Sequence, residues 1–341
     1  DSSIAVVGMA CRLPGAQNLD EFWRLVRGGG AAWGPVPEER FNRQLYFDPQ
    51  PGVLNKSYSD LAALLPYREV NREICPISVA SAASHDLAHV TLCEVAAAAC
   101  HQGGFNPASL PSPNTGVYIG HAAASGMAAD IIYSTYIAET ARYLREATGF
   151  ERLAAGLGDQ VIQEMIEQVR KNGSKISSEG PYLGASMAAR LIAETFALNG
   201  PCVSLNAACA SSSRAVIQAV RALGSGSIDM AVVGGASFFH SDTLVLFCQS
   251  RSVSAQGSHP FSDAADGLVI GEGYVVVLLE TLERALANNH RVLAVLPSVG
   301  ASSDGRGKSL WAPRLEGQVK AMQLAYGPGV SVSQLQYIEA H

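Results

Sequence analysis

The stretch from Gly200 to Gly226, GPCVSLNAACASSSRAVIQAVRALGSG, constrains the fold more than any other part of the chain. Its apolar start predicts a buried strand, and the small residues in its middle predict a tight turn. The spacing of Val216, Ile217, Val220 and Leu223 then predicts a helix. The chain is therefore expected to contain a strand, a turn and a helix in close succession.

Cys209 lies in this turn, at the predicted start of the helix. Unpaired backbone N–H groups and the helix dipole favour a thiolate there, which makes Cys209 a candidate nucleophile. Its own N–H is also placed to help bind the oxyanion of an attacked thioester carbonyl. The alternative is a small core residue. Small neighbours, Ala208, Ala210 and Ser211, favour the nucleophile because they leave room for an acyl group.

Composition limits the class of protein. The chain has 341 residues, of which 48% are hydrophobic and 16% charged, enough for one large or two ordinary domains. A net charge of −6 without a basic cluster argues against nucleic-acid binding. Short apolar runs and an N-terminus without a signal pattern argue against a membrane span. Seven cysteines without regular spacing fit a reducing compartment, so a cytoplasmic protein is expected.

The remaining chain alternates predicted strands and helices. Buried strands are predicted at residues 4–7, 115–120, 229–233 and 274–279, which indicates an α/β fold with a predominantly parallel sheet covered on both faces. Residues 31–67 are rich in turn-forming residues and are predicted to be a surface excursion. Residues 128–180 are largely helical and are predicted to be an inserted helical cover.

The alanine-rich segment from Ser78 to Cys100 is predicted to be a helix. Two of its histidines raise the question of whether this helix carries a metal site. His85 and His89 have the i, i+4 spacing of a zinc pair. Cys93 lies about 12 Å along the helix from His85, so one ion could not bind all three. The missing third ligand favours solvated or core histidines, and no metal is expected.

Several motifs occur in order along the whole chain. They are IAVVGMACRLPGAQNLDEFWRLV from Ile4, NTGVYIGHAAASG from Asn114, NAACASS around Cys209, HPFSDAADGLVIGEG from His259, ASSDGRGKSLWAPRLEGQ from Ala301, and IEAH at the end. Together they resemble the β-ketoacyl synthases, the condensing enzymes of fatty acid and polyketide assembly. The residues of three of these motifs, NAACASS, ASSDGR and APRLEGQ, resemble those of iterative polyketide synthases of the enediyne type and of polyunsaturated fatty acid synthases.

This resemblance implies a thiolase-like αβαβα fold, with two sheet layers between three helix layers. Residues 1–341 would be a ketosynthase domain, comprising its N-terminal half and the start of its C-terminal half. The implied reaction is a decarboxylative Claisen condensation of an acyl-Cys209 thioester with malonyl carrier protein. The implied partners are an acyl carrier protein bearing phosphopantetheine, neighbouring polyketide synthase domains and a second copy of the chain. No directly bound cofactor is implied.

The resemblance also assigns roles to single residues. Cys209 would be the nucleophile, and His341 would be the first catalytic histidine, stabilising the enolate left by loss of carbon dioxide. The segment from Gly267 to Gly273, with Asp266 and Glu272, would help to shape the floor of the site, and Phe261 and Asp263 match the same motif as supporting residues. The alternative is a turn in which Asp266 and Glu272 accept backbone N–H groups. The glycines of residues 267–273 match neither a phosphate loop nor the dinucleotide fingerprint.

Two departures from the family pattern affect the expected activity. Asn206 occupies a position where relatives usually have Asp, and the chain ends at His341. The family's second catalytic histidine, its lysine and a glycine-rich oxyanion loop would follow that position. A truncated or partly observed domain is therefore expected, with acylation of Cys209 but no complete condensation. The alternatives are a non-condensing scaffold or chain-length partner and, with no GxSxG elbow present, a cysteine-dependent thioester hydrolase.

Overall fold

The structure is a computed structural model, and it describes residues 3–121, 131–132, 134–153, 156–173, 184–307, 312–326 and 331–341. In chain order the labelled elements are β1 (Ile4–Arg12), α1 (Leu19–Arg27), β2 (Gly34–Pro35), α2 (Arg43–Tyr46), β3 (Leu61–Ala63), α3 (Val79–Ser84), α4 (Leu87–Gln102), β4 (Thr115–His121), α5 (Ile137–Glu146), α6 (Leu157–Gly173), α7 (Met187–Thr195), β5 (Cys202–Leu205), α8 (Ser211–Gly224), β6 (Met230–Ser237), α9 (Ser241–Gln249), β7 (Ile270–Gly271), β8 (Gly273–Thr281), α10 (Leu282–Ala287), β9 (Ala294–Leu296) and α11 (Leu315–Tyr326).

A six-stranded sheet in the order β5-β4-β6-β8-β1-β9 forms the centre of the described chain. β4 is parallel to β5 and β6, but β8 is antiparallel to β6 and β1, and β9 is antiparallel to β1. The prediction of a predominantly parallel sheet is therefore wrong. Ser237 at the end of β6 pairs with Gly273 at the start of β8. The long connection between these two strands therefore leaves the sheet and returns to it at the same end of the strands. A strand that returns in this way must be antiparallel to its neighbour.

Helices cover both faces of this sheet. On one face α4 and α7 enclose a large core that includes Val7, Val95 and Leu278. A β-carbon on Gly8 would be 2.5 Å from the carbonyl oxygen of Ala99, so the alanine-rich α4 packs directly against the backbone of β1. On the other face α8 buries Ala215, Ala219 and Leu223 against the sheet. The described residues thus form a helix–sheet–helix arrangement.

The predicted helix from Ser78 to Cys100 is broken at His85. α3 ends there with extended backbone at φ −101° and ψ 156°. α4 begins after Asp86, whose Oδ1 accepts a hydrogen bond from the Ala88 N–H at 2.9 Å. Because Asp favours helix N-caps, it starts a new helix instead of continuing the old one. His85 and His89 therefore do not share a helix face, and the zinc-pair spacing has no structural counterpart. Within the described ranges no group of three His, Cys, Asp or Glu side chains is arranged to bind a metal.

Residues 31–67 do more than cross the surface. β2, β3 and β7 form a small sheet. β3 lies in its middle, antiparallel to β2 and parallel to β7. Val36 and Phe41 are buried in a separate core with Phe239 and Leu244. The prediction of a surface excursion did not include this small sheet and core, because the few apolar residues among many turn formers find partners far along the chain, in and before α9.

Two helices, α5 and α6, lie within the predicted helical insertion at residues 128–180. Residues 128–130, 133, 154–155 and 174–180 of that insertion lie outside the described residues. Across the described ranges, no helix has both the length and the apolar composition needed to cross a bilayer.

Candidate active site

β4, β5 and β6 are parallel, and Cys209 lies beyond their carboxyl ends. Gly120 in β4 is in register with Leu205 in β5 and with Gly235 in β6. Because side chains and loops that follow parallel strands emerge at the strands' carboxyl ends, this edge is where sites in α/β sheets are commonly built. The turn with Cys209 follows β5 directly and leads into α8.

Local hydrogen bonds fix the conformation of this turn. Ala208 has a left-handed backbone, with φ +49°. The hydroxyl group of Ser211 accepts a hydrogen bond from the Ala207 N–H at 2.9 Å and donates one to the Ala208 carbonyl oxygen at 2.6 Å. The side-chain oxygen of Asn206 accepts a hydrogen bond from the Ala208 N–H at 3.1 Å. An Asp carboxylate could accept the same bond, so Asn206 preserves the turn while removing a charge.

Cys209 lies immediately before the first turn of α8. The helix begins at Ser211, its N-cap is Ala210, and no side chain caps it. Among the described residues, the N–H groups of Cys209 and Ser212 have no hydrogen-bond acceptor. Free N–H groups at a helix start attract negative charge. The geometry therefore offers N–H donors to an oxyanion at this position.

Two glycines let the helix start approach the sheet. A β-carbon on Gly120 would be 2.3 Å from the backbone nitrogen of Ser212, and one on Gly235 would be 2.8 Å from the β-carbon of Ser212. Only the absence of side chains at these positions allows the first turn of α8 to lie over β4 and β6. Neither glycine was identified from the sequence, although a glycine inside a strand is a signal of close backbone approach.

Cys209 is exposed and lines a cavity of about 730 Å³. Of the predicted supporting residues, Ala208, Ser211 and Glu272 also line this cavity. Its apolar walls come from Leu13, Val216, Phe247, Val233, Val275 and Val277. These wall residues were not predicted because they come from distant elements that meet only in the folded chain. The cavity offers an apolar surface beside a sulfur atom, as an acyl chain would require.

Glu272 links three segments near this cavity. Its carboxylate accepts hydrogen bonds from the N–H groups of Leu65 at 2.8 Å and Phe239 at 3.1 Å. It also forms an ion pair with Arg40, with an N–O distance of 2.5 Å. These partners occupy both carboxylate oxygens, so the geometry supports a structural role for Glu272 and not proton transfer.

The other predicted site residues lie elsewhere. Ala210 precedes α8 but does not line the cavity. Phe261 is 93% exposed, and Asp263 and Asp266 are exposed in the same irregular segment. His341 is exposed at the end of the chain, and neither it nor the two aspartates forms a side-chain hydrogen bond within the described residues. Phe261, Asp263, Asp266 and His341 do not line the cavity of Cys209. Residues 122–126, the small-residue run after β4, lie outside the described part of the chain.

Comparisons with known proteins agree with this geometry. Residues 1–285 match the family profile described as "Beta-ketoacyl synthase, N-terminal domain". A mycocerosic acid synthase-like polyketide synthase of Mycolicibacterium smegmatis is 31% identical over 99% of the chain. The pikromycin polyketide synthase component PikAII of Streptomyces venezuelae is also 31% identical over 99% of it. The chain spans only 14% and 8% of these two relatives.

A solved structure supports the fold. The oxazolomycin ketosynthase domain OzmH KS7 of Streptomyces albus superposes with a TM-score of 0.75 at 25% identity, over 95% of this chain and 51% of that one. The cysteine-bearing turn over the parallel half of a helix-covered sheet, together with these matches, defines a domain of the condensing-enzyme family with a thiolase-like fold. The chain belongs to the β-ketoacyl synthase family, and within it to the ketosynthase domains of modular polyketide synthases.

Proposed function

We propose that this protein forms an acyl thioester on Cys209 and uses it in a decarboxylative Claisen condensation with malonyl carrier protein. The observation that carries the proposal is the position of Cys209. Its sulfur is exposed on a cavity of about 730 Å³, directly before an uncapped helix start. The family match over residues 1–285 supports the same reaction class.

In the first step the Cys209 thiolate attacks the carbonyl carbon of an acyl-phosphopantetheine thioester. A new carbon–sulfur bond forms, the bond to the pantetheine sulfur breaks, and the released thiolate takes up a proton. The N–H of Cys209 has no other acceptor among the described residues and is available to the oxyanion. The acyl chain would lie along the apolar wall formed by Val216, Phe247 and Val275.

In the second step malonyl carrier protein loses carbon dioxide to give an enolate. The enolate carbon attacks the acyl-Cys209 carbonyl, a carbon–carbon bond forms, and the Cys209 thiolate leaves. His341 is the proposed hydrogen-bond donor to the malonyl thioester oxygen, on the strength of the IEAH motif alone. Four further residues remain proposed supporting residues on the strength of their own sequence motifs: Ala210, Phe261, Asp263 and Asp266.

The proposed partner is an acyl carrier protein whose phosphopantetheine arm delivers both substrates. A homodimer is proposed as well. β5 is an edge strand of the six-stranded sheet, and among the described residues its outer edge has no strand partner. Such an edge can pair with a second copy. Light scattering that gives the mass of a monomer at micromolar concentration would reject the dimer.

Finer assignments rest on the sequence alone. We propose that the domain belongs to the iterative enediyne and polyunsaturated fatty acid type, works among other polyketide synthase domains in the cytoplasm, and condenses only together with a segment equivalent to the rest of the solved ketosynthases. Reconstitution with carrier protein and malonyl thioester tests the iterative assignment. Repeated extension supports it, and release after one cycle contradicts it.

Mass spectrometry after incubation with an acyl-pantetheine thioester tests the main proposal. We expect one acyl adduct, mapped to Cys209 and lost in Cys209→Ser. Cys202→Ser is the matched control, because Cys202 is the other exposed cysteine among the described residues. It should acylate like the parent protein. No adduct at Cys209 would indicate a scaffold, and rapid release of free acid would indicate a thioester hydrolase.

A further inference from the structure

A second cavity, of about 200 Å³, lies on the opposite face of β8 from the Cys209 cavity. Tyr274 points into it, whereas the adjacent Val275 lines the Cys209 cavity. The charged residues that line it are Arg12, Arg40, Arg68 and Glu272. The reaction proposed for Cys209 uses none of these arginines.

Arg12 is the unusual member of this group. Its residue is only 4% exposed. Its Nε donates to the side-chain oxygen of Gln17 at 3.1 Å, and its Nη2 donates to the carbonyl oxygen of Pro66 at 3.0 Å. Both acceptors are uncharged, and no carboxylate of the described chain lies within ion-pair distance. A guanidinium group carries five N–H donors, so several remain for a ligand.

The neighbouring carboxylates are already used by other groups. Glu272 binds Arg40 and the N–H groups of Leu65 and Phe239. Glu94 pairs with Arg68 and accepts a hydrogen bond from the Asn71 N–H. Glu272 and Glu94 are thus engaged by Arg40 and Arg68, and neither forms an ion pair with the buried Arg12. Burial and the charge of Arg68 lower the pKa of Arg12, and the charges of Glu94 and Glu272 only partly oppose this shift.

The other residues that line this cavity indicate which ligand it could bind. Tyr274 is buried, burial raises its pKa, and its hydroxyl group has no hydrogen-bond partner among the described residues. It is therefore a neutral donor beside Arg12. Leu65, Leu87 and Phe238 supply apolar surface. A volume of 200 Å³ corresponds to roughly six or seven waters at about 30 Å³ each.

We propose that this cavity is a binding site for a short-chain monocarboxylate, with the carboxylate held by Arg12 and the hydroxyl group of Tyr274. The carboxylate would be the ion-pair partner that Arg12 lacks among the described residues. A planar carboxylate matches the guanidinium fork. An aliphatic chain of a few carbons fits the apolar wall, and butyrate has the right size.

Isothermal titration of the protein with butyrate at constant ionic strength tests this proposal, with butanol as the uncharged analogue. We expect saturable butyrate binding that butanol does not compete for. Arg12→Gln should weaken it about tenfold or more, because a charge-assisted hydrogen bond is lost. Arg221→Gln, which removes an exposed arginine at the far end of α8, is the control and should bind like the parent protein.

Thr91→Leu gives a second measurement if Arg12→Gln does not fold. Thr91 lines the cavity from α4, and the larger side chain would fill the space while leaving Arg12 in place. It should also weaken binding about tenfold or more. The proposal is overturned if butyrate shows no saturable binding, if butanol competes equally, or if the folded variants bind butyrate like the parent protein. None of these measurements depends on acylation of Cys209.

Discussion

Gly120 in β4 lies directly against Ser212 in the first turn of α8, at a distance that leaves no room for a side chain. The position of Cys209 depends on this contact, because Cys209 is three residues before Ser212 and immediately precedes the N-cap of the helix. A glycine on the strand thus sets where the candidate nucleophile lies relative to the sheet.

Gly120→Ala is expected to displace the start of α8 and to reduce acylation of Cys209 by about tenfold or more. The added β-carbon would be 2.3 Å from the Ser212 nitrogen, and overpacking of this kind costs about 1–3 kcal/mol. Mass spectrometry of the acyl adduct over time measures the effect. Gly224→Ala, at a position with no atom within 4 Å of the added carbon, is the control. Equal acylation rates in the two variants would contradict the prediction.

Ser211→Ala is expected to loosen the turn that holds Cys209. The substitution removes both hydrogen bonds of the Ser211 hydroxyl group and leaves the Ala207 N–H without that acceptor, which costs about 1–3 kcal/mol. Chemical denaturation and the acylation rate should both show the loss. Ser213→Ala changes another serine on the same cavity that has no side-chain hydrogen bond in the described chain, so it should leave both quantities unchanged. An unaffected Ser211→Ala would refute this account of the turn.

Alkylation of the folded protein with iodoacetamide should modify Cys202 and Cys209 before the five buried cysteines. Peptide mapping identifies the sites, and denaturation should expose all seven. Burial and the nearby Glu194 raise the pKa of Cys202. Its alkylation rate should therefore keep rising with pH above 9, because the thiolate is the reactive form. Early modification of Cys75 or Cys93 would contradict the burial of these side chains.

The stability of the fold should fall as the pH drops below about 6.5. His89 is fully buried, and burial, opposed by Asp86 and reinforced by His121 and His85, lowers its pKa to about 4. The unfolded chain therefore binds a proton between about pH 6.5 and 4 that the folded chain does not, which destabilises the fold. At about 1.4 kcal/mol per pKa unit the loss is up to about 3 kcal/mol.

His89→Leu tests this pH dependence. Within the described residues neither ring nitrogen of His89 has a hydrogen-bond partner, so an apolar side chain of similar size should be tolerated at pH 7. Urea denaturation at several pH values should show a smaller loss of stability between pH 6.5 and 4 than in the parent protein. Parallel pH profiles for the two proteins would show that His89 is not the titrating group.

Local patterns were sufficient for the parts of the fold that depend on neighbouring residues. The strand, turn and helix around Cys209 are present as predicted, but the predicted burial of the strand is wrong, because β5 is an edge strand with no buried residue. The N-cap at Asp86 was missed, because it lies inside an alanine-rich segment whose pattern predicts one continuous helix. Phe247, in a helix well beyond the cysteine, could not be assigned to the cavity because its contact with the site exists only in the tertiary structure.

The pairing of β1 with β8 has a consequence for biosynthesis. Ile4 pairs with Thr281, so β1 can pair with its central neighbour β8 only after all the residues between the two strands have been synthesised. An apolar strand that waits so long is exposed to misassembly, and closing so large a loop slows folding. β1 therefore cannot complete its part of the sheet until β8 has been synthesised, and a chaperone that binds nascent chains would have most reason to bind β1 in that interval.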